Sequence, residues 1–478
     1  MYLGLDLGTS GLKGVLIDDT QQVLAEATAP LTVSRPRDGW SEQSPADWIA
    51  AVEIVLRALS DHDLSAIRGI GLSGQMHGAV LLDAADDVLR PCILWNDTRA
   101  HVEAAALDAD PQFRAITGNI VFPGFTAPKL SWVRQNEPAV FAKIAKVLLP
   151  KDYLRLWLTG DHVTEMSDAA GTSWLDTGGR DWSDALLAAT GLGREHMPRL
   201  VEGSDVSGFL RPELVARFGL SSDVIVAGGG SDNAAAGIGA GVVKGGQAFV
   251  SLGTSGVLFA ANDGYHPDPA TAVHTFCHAV PGVWHQMGVI LAASDALTWY
   301  ARLIGSEPAD LTAGLGPLQP PGRVRFLPYL GGERTPLNDS AIRGAFIGLE
   351  HATDRGAATR AVLEGVSFAI RDCRDALAKT GTKIDKLLAL GGGSKSDYWL
   401  SVIATVLNTP VQVPVSGDFG GAFGAARLAI MAVNGAGTEI ATMPPIARII
   451  EPNKAIVEDF DAAHANFHAA QTAIRGLT

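Results

Sequence analysis

Met1 to Leu7 is a strand-like run, and apolar positions resume in Leu12-Lys13-Gly14-Val15-Leu16-Ile17. Gly8-Thr9-Ser10-Gly11 stands between them, so the pattern predicts strand, tight turn, strand: a β-hairpin. The same letters return half a chain later. Leu252-Gly253-Thr254-Ser255-Gly256 repeats Leu7-Gly8-Thr9-Ser10-Gly11, preceded by Ala248-Phe249-Val250-Ser251 and followed by Val257-Leu258-Phe259. Chance recurrence of a common turn is the competing reading. Five identical residues in matching contexts favour an internal duplication.

Other periods predict the remaining elements. Ser44-Pro45 opens a helix with Trp48, Val52, Val55, Leu56 and Leu59 on one face, proline taking its favoured first position. Residues 224–230 read as a buried strand ending in a glycine turn, and 232–242 as a helix of small residues. Residues 356–379 form a long amphipathic run that stops at Gly381. Residues 386–390 read as a strand and 395–408 as a helix. Strand and helix patterns alternate in both halves, which predicts an α/β fold. A length of 478 residues suits two large domains. The expected units are residues 1–243 and 244–478, packed around a cleft without a flexible linker.

Composition narrows the partners. Hydrophobic residues at 47% and charged residues at 18% make an ordinary globular balance. A formal charge of −14 argues against a nucleic-acid backbone or an anionic membrane as partner. A nucleotide is still allowed, because a few backbone N–H groups can hold its phosphates. Cys92, Cys277 and Cys373 fit no metal spacing and suggest free thiols in a reducing compartment. No secretory signal or membrane-length apolar run is visible, so cytoplasmic residence is expected.

The repeated turn suggests the chemistry. Small residues expose consecutive backbone N–H groups, which with the Thr9 and Ser10 hydroxyls can cradle phosphate oxygens. Gly253, Thr254 and Ser255 offer the same, and two such turns facing each other would grip a triphosphate. Neither is a Walker loop, and the first is followed by a strand where a dinucleotide fingerprint needs a helix. Asp6 precedes the first turn where Ser251 precedes the second. A carboxylate there suits Mg²⁺ held through water, or simply stabilises the turn. Lys13 is a candidate to neutralise transferring phosphate, or a solvated strand lysine. Gly391-Gly392-Gly393-Ser394-Lys395-Ser396 follows a strand and opens a helix, and is assigned to adenosine.

The acceptor side gathers elsewhere. Asp232-Asn233 lies between a glycine turn and a helix, where Asp232 could be an N-cap, a general base, or both. Gln75-Met76-His77-Gly78 puts polar groups between glycines, although His77 could equally be a satisfied core histidine. Trp95-Asn96-Asp97-x-Arg99 has the aromatic, amide and charged mix of a carbohydrate site, or is a helix N-terminus with a salt bridge.

Taken in order, these stretches resemble the FGGY carbohydrate kinases from Met1 to about Ala432. Further resembling stretches are Trp40-Ser41-Glu42-Gln43, Gly124-Phe125-Thr126-Ala127-Pro128-Lys129-Leu130, Leu149-Pro150-Lys151-Asp152-Tyr153-Leu154-Arg155 and Ser167-Asp168-Ala169-Ala170-Gly171-Thr172. The resemblance implies a two-lobed actin/Hsp70-like (ribonuclease H-like) ATPase fold with ATP, Mg²⁺ and a small sugar in the central cleft. It implies Asp232 as general base, Asp6 near Mg²⁺ and the γ-phosphate, and Met76, His77 and Asn233 on the sugar. Gly253 and Thr254 match its second phosphate motif, and Gly392, Gly393 and Ser396 its adenosine motif. A homodimer is a further expectation from the family. Met76-His77 and the Gly124–Leu130 stretch narrow the implied acceptor to D-xylulose; the alternatives are another ketose or an alditol such as ribulose, xylitol or arabinitol. A chaperone-like ATPase on the same fold is a rival that the Asp232-Asn233 and Met76-His77 pairs argue against. Two departures stand out: Ser231 separates the glycines from Asp232, and Ala357-Ala358 replaces a polar and an apolar residue of a helix signature.

Overall fold

The computed structural model describes residues 1–415, 419–475 and 477. The first hairpin forms as expected: β1 (Tyr2–Leu7) and β2 (Gly11–Ile17) pair antiparallel, and β3 (Val23–Pro30) adds to β2. β4 (Gly69–Gly74) runs parallel to β1. β5 (Val206–Phe209) edges β6 (Ile225–Ala227), which lies parallel to β4, and the two-residue β7 (Gly230–Ser231) also pairs with β4. The strand order is β5-β6-β4-β1-β2-β3.

The second sheet repeats this plan. β8 (Gly246–Leu252) and β9 (Gly256–Asn262) form the second hairpin. β10 (His274–Cys277) and β11 (Trp284–Ile290) extend its antiparallel side. β12 (Ile384–Leu390) and β13 (Val411–Pro414) continue parallel to β8, and β14 (Ile446–Ile450) closes the edge. The duplication read from five letters is therefore a duplicated sheet: hairpin, third antiparallel strand, then two parallel strands.

Helices form where the periods place them. α1 (Pro45–Ala58) buries Trp48, Val52, Val55 and Leu56 against the first sheet, each worth about 1.5–3 kcal/mol when fully buried. α2 (Pro150–Thr159) lies near β4. α3 (Asp232–Ala240) follows β7. In the second half, α4 (Ser294–Leu303), α5 (Arg355–Lys379) and α6 (Asp397–Leu407) pack one on the next or on the sheet. The Ala357-Ala358 departure does no damage: Asp354 caps α5 through the Ala357 N–H. All three cysteines are free and buried, and among the described residues no helix is long and apolar enough to cross a membrane.

α7 (Gly421–Asn434) belongs to the second half of the sequence but lies on β1 and β4 of the first sheet and against α3. Contact is flush because small residues line it. A methyl group on Gly71 would collide with the Ala425 carbonyl, and one on Gly424 with the Ala235 carbonyl. α3 in turn puts Gly237 against Phe259 of β9. The two lobes are thus joined by a pair of small-residue helices whose first residues, Asp232 and Gly421, both lie near Asp6.

α8 (Val457–Ile474) closes the second core with Phe460 and Phe467. Its His464 and His468 Nε2 atoms pair with Asp372 Oδ1 of α5 at 2.7 and 2.6 Å. Burial pushes Asp372 up, but the two imidazoles outweigh it and hold the carboxyl below its ordinary value. The Asp372 hydrogen bond raises His468 against burial. A raised histidine stabilises the fold below its unfolded pKa and loses that contribution as pH rises through the folded value. Amide protection of α8, corrected for intrinsic exchange, should therefore fall as pH rises above the ordinary histidine value of 6.5. In Asp372→Asn it should be weaker and flat over that range. A wild-type protein with pH-independent protection would show that the clamp does not hold α8.

Candidate active site

Both phosphate turns are anchored by their carbonyls. In the first, Leu7 O accepts from Gln75 N at 2.8 Å, Ser10 O from Leu31 N at 2.9 Å and Thr9 O from Gln43 Nε2 at 2.7 Å. In the second, Gly253 O accepts from Ser294 N at 2.9 Å, Thr254 O from Ala293 N at 2.8 Å, and Leu252 O from Ser294 Oγ at 3.0 Å. Among the described residues the N–H groups of Thr9, Ser10, Thr254 and Ser255 make no hydrogen bond. Each turn is held from behind and offers its donors in front, the form of an anion-binding nest. The Thr9 hydroxyl is engaged, donating to Gln75 Oε1 at 3.1 Å and accepting from Trp95 Nε1 at 2.9 Å. Lys13 Nζ lies 3.0 Å from Glu26 Oε2 on the neighbouring strand.

Two carboxylates meet where the helix N-termini converge. Asp6, at the end of β1, accepts from Ser73 Oγ at 2.9 Å. Gly421, the first residue of α7, lies so close to Asp6 that a methyl group there would overlap the carboxylate. Asp232 opens α3, but the residue at the N-cap is Ser231. The N-cap reading of Asp232 is corrected by one position, because Ser231 prolongs pairing with β4 opposite Gly74 and delays the helix. Asp232 Oδ1 accepts from Asn233 N at 2.7 Å and Asn233 Nδ2 at 2.9 Å. Burial first, and then the Asp6 charge, push the Asp232 carboxyl up to about 6.

The third group of residues builds a pocket wall beyond β4. Met76 is buried, and its methyl and the His77 ring both abut Gly171. His77 sits at φ 67°, the left-handed region that a histidine seldom enters. Its Nδ1 is 2.7 Å from Gly171 O, so Nδ1 carries the proton and Nε2 is the acceptor. Burial, with the Lys129 charge, lowers His77 to about 3 and keeps it neutral. The ring stacks on Phe125 at 4.4 Å. Lys129 is fully buried, donating to the carbonyls of His77 and Gly124 at 2.7 Å. Trp95 is 46% exposed, while Asp97 and Arg99 form a buried ion pair. Of the helix-terminus reading the salt bridge is present, in the turn before a helix whose N-cap is Ala100, while Trp95 leaves its ring partly open.

Gly392 and Gly393 form a short turn after β12, and Ser396 caps α6 by accepting from Trp399 N at 3.3 Å. With Ser294, Leu297, Thr298 and Tyr398 they line a cleft of about 660 Å³. No side chain closes over Gly392, so a flat ring can lie on bare backbone there.

Sequence reasoning passed over a buried charge cluster behind Asp232. Lys151 Nζ lies 2.8 Å from Asp152, 2.9 Å from Asp168 and 3.4 Å from Glu165, all fully buried. Arg155 donates to Ala227 O and Gly228 O at 2.6 Å, fixing the turn before Asp232. Glu165 accepts from Ser167 Oγ at 2.9 Å, and Ser167 Oγ accepts from Ser231 N at 3.0 Å. The available signal was three charged residues on an otherwise apolar face of α2.

Residues 1–239 match the N-terminal domain of the FGGY family of carbohydrate kinases, and residues 248–433 its C-terminal domain. A xylulose kinase of Escherichia coli K12 is 48% identical over 450 residues, covering 93% of each chain. A crystal structure of a "xyloylose kinase" from Brucella ovis superposes with TM-score 0.99 at 62% identity, covering 100% of both chains. A gluconate kinase from Lactobacillus acidophilus superposes with TM-score 0.94 at 26% identity, covering 98% and 97%. The duplicated sheets and the cleft between them are the actin/Hsp70-like two-lobed fold. Repeated turn, exchanged helices and matched domains agree: this chain belongs to the FGGY family of carbohydrate kinases.

Proposed function

We propose that this chain transfers the γ-phosphate of ATP to O5 of D-xylulose, giving D-xylulose 5-phosphate. Asp232 carries the reading: a half-buried carboxylate raised to about 6, on the wall shared by the phosphate turns and the Met76–His77 pocket. Likeness to xylulose kinases at 48% identity supports the choice of sugar.

The residues fit ATP and Mg²⁺. Two turns carry unbonded backbone N–H groups, and Asp6 raises Asp232 by repulsion that a cation would relieve. Asp6 would hold Mg²⁺ through water, and the ion would supply positive charge against the phosphates. The N–H groups around Thr9, Ser10, Gly253 and Thr254 grip phosphate oxygens, with Lys13 adding charge on the first side. Gly392, Gly393 and Ser396 carry the adenosine. Met76, His77, Asn233 and Trp95 orient the sugar. Asp232 takes the O5 proton as O5 attacks phosphorus and the bond to the bridging oxygen breaks, leaving ADP. Lobe closure keeps out water, the competing acceptor.

The test is a coupled ADP assay over D-xylulose, D-ribulose, xylitol and D-arabinitol. D-Xylulose should give the highest kcat/KM; a higher value for another acceptor would overturn the choice of sugar. The base must be ionised, so kcat/KM for the sugar should fall on an acid limb near pH 6 set by Asp232. A profile flat down to about pH 4.5 would contradict that role.

A further inference from the structure

Arg334 crosses from the second lobe to the sugar side of the first. Glu333 Oε1 accepts from Leu291 N at 3.0 Å and Arg334 N at 2.8 Å. Thr335 exchanges hydrogen bonds with Val289 at 3.0 and 3.1 Å and donates to Ala272 O at 3.0 Å. These anchors stitch the residues on either side of Arg334 to the second lobe. The guanidinium lies 4.8 Å over the Phe122 ring of the first lobe. Phe122 meets Phe125 edge-on at 5.5 Å, and Phe125 stacks on His77. The Arg334 charge also reaches His77, lowering its pKa further.

Among the described residues, the Arg334 guanidinium makes no hydrogen bond and no ion pair. Arg334 is half-buried and its guanidinium nitrogens keep access to solvent, so the five donors of this planar fork are open to an incoming ligand. Nearby, His77 presents the opposite character: a neutral ring whose Nε2 is an acceptor. A donor-only fork beside an acceptor suits a carbonyl oxygen next to a hydroxyl.

We propose that Arg334 is a specificity-determining residue that donates to the C2 carbonyl of a ketose, with His77 accepting from the adjacent hydroxyl. The inference rests on the reading of the acceptor as a ketose phosphorylated at its far end by way of Asp232. Ser231 pairs with Gly74, three residues before His77, so Asp232 and His77 both follow the end of β4. An alditol has a hydroxyl at C2 and fits this fork less well. Because Arg334 comes from the second lobe, the pocket is complete only with the lobes together.

The experiment compares wild type, Arg334→Met and Arg334→Lys on D-xylulose and D-arabinitol. Methionine keeps an apolar stem over Phe122, and lysine keeps the charge without the fork. Arg334→Met should lose about 10–100-fold in kcat/KM for D-xylulose, mainly through KM. D-Arabinitol should change by less than about threefold, the KM for ATP should hold, and Arg334→Lys should recover only part of the loss. Equal losses on both sugars, or unchanged ketose preference in Arg334→Met, would overturn the role of Arg334. A wild-type enzyme with no preference for the ketose would instead sink the underlying reading. A thermal midpoint matching wild type separates recognition from misfolding, and if Arg334→Met melts early, Arg334→Lys alone must show the selective loss.

Discussion

Asp232→Ala should lower kcat by about 10²–10⁴-fold while ATP and ADP bind as before. The carboxylate opens α3 with its Oδ1 held by Asn233; it is positioned by its neighbours rather than positioning them. Removing it takes away the group proposed to accept the proton and little else, because Ser231 keeps its place on β4. The proposed nucleotide contacts lie on other elements, the two turns and the cleft beside Gly392. Affinity by calorimetry should therefore be unaffected, or slightly improved by loss of a negative charge beside the phosphates. Asp232→Asn, which keeps the shape, should be nearly as slow. Near-normal turnover in either variant would remove Asp232 from the mechanism.

Lys151→Met should destabilise the first lobe by about 3–5 kcal/mol, the cost of breaking a buried ion pair by removing one partner. Burial pulls the ammonium down, but Asp152, Asp168 and Glu165 outweigh it and hold the lysine above its ordinary range. Burial, with the neighbouring carboxylates, pushes Asp168 up to about 8. Two cations, Lys151 and Arg155, thus face three buried carboxyl groups. Methionine of similar length fills the space but leaves a buried negative charge unmatched. The thermal midpoint should fall on the order of 10 °C. Adding Asp152→Asn, which removes the carboxylate nearest the lost ammonium, should recover part. A loss under about 1 kcal/mol would mean that water reaches the cluster.

Much of this architecture was legible because it depends on local pattern. The repeated Leu-Gly-Thr-Ser-Gly marked both hairpins, and the Pro45 and Gly381 signals marked α1 and the end of α5. What escaped depends on contacts between distant segments. No periodicity says that α7 lies on the first sheet; only the glycines at 71 and 424, read with the structure, show why it fits. The same holds for the Thr9 hydroxyl, which turns to Trp95 and Gln75 rather than standing open beside the turn. Ser231 looked like an insertion that could shift the site. It extends the β4 pairing by a residue and takes over the cap, which leaves Asp232 one position into its helix. Arg334 lies over 200 residues from His77 in sequence, and only the lobe arrangement brings them together.

The repeated turn that opens the sequence is proposed to grip phosphate twice; what the enzyme phosphorylates depends on what lies before Asp232. A crystal structure with D-xylulose and an unreactive ATP analogue tests that most directly. The expected result is the O5 hydroxyl within hydrogen-bond reach of Asp232 and in line with the γ-phosphate, the carbonyl end lying toward His77. A sugar whose terminal hydroxyl lies away from Asp232, or a γ-phosphate directed elsewhere than into that pocket, would contradict it.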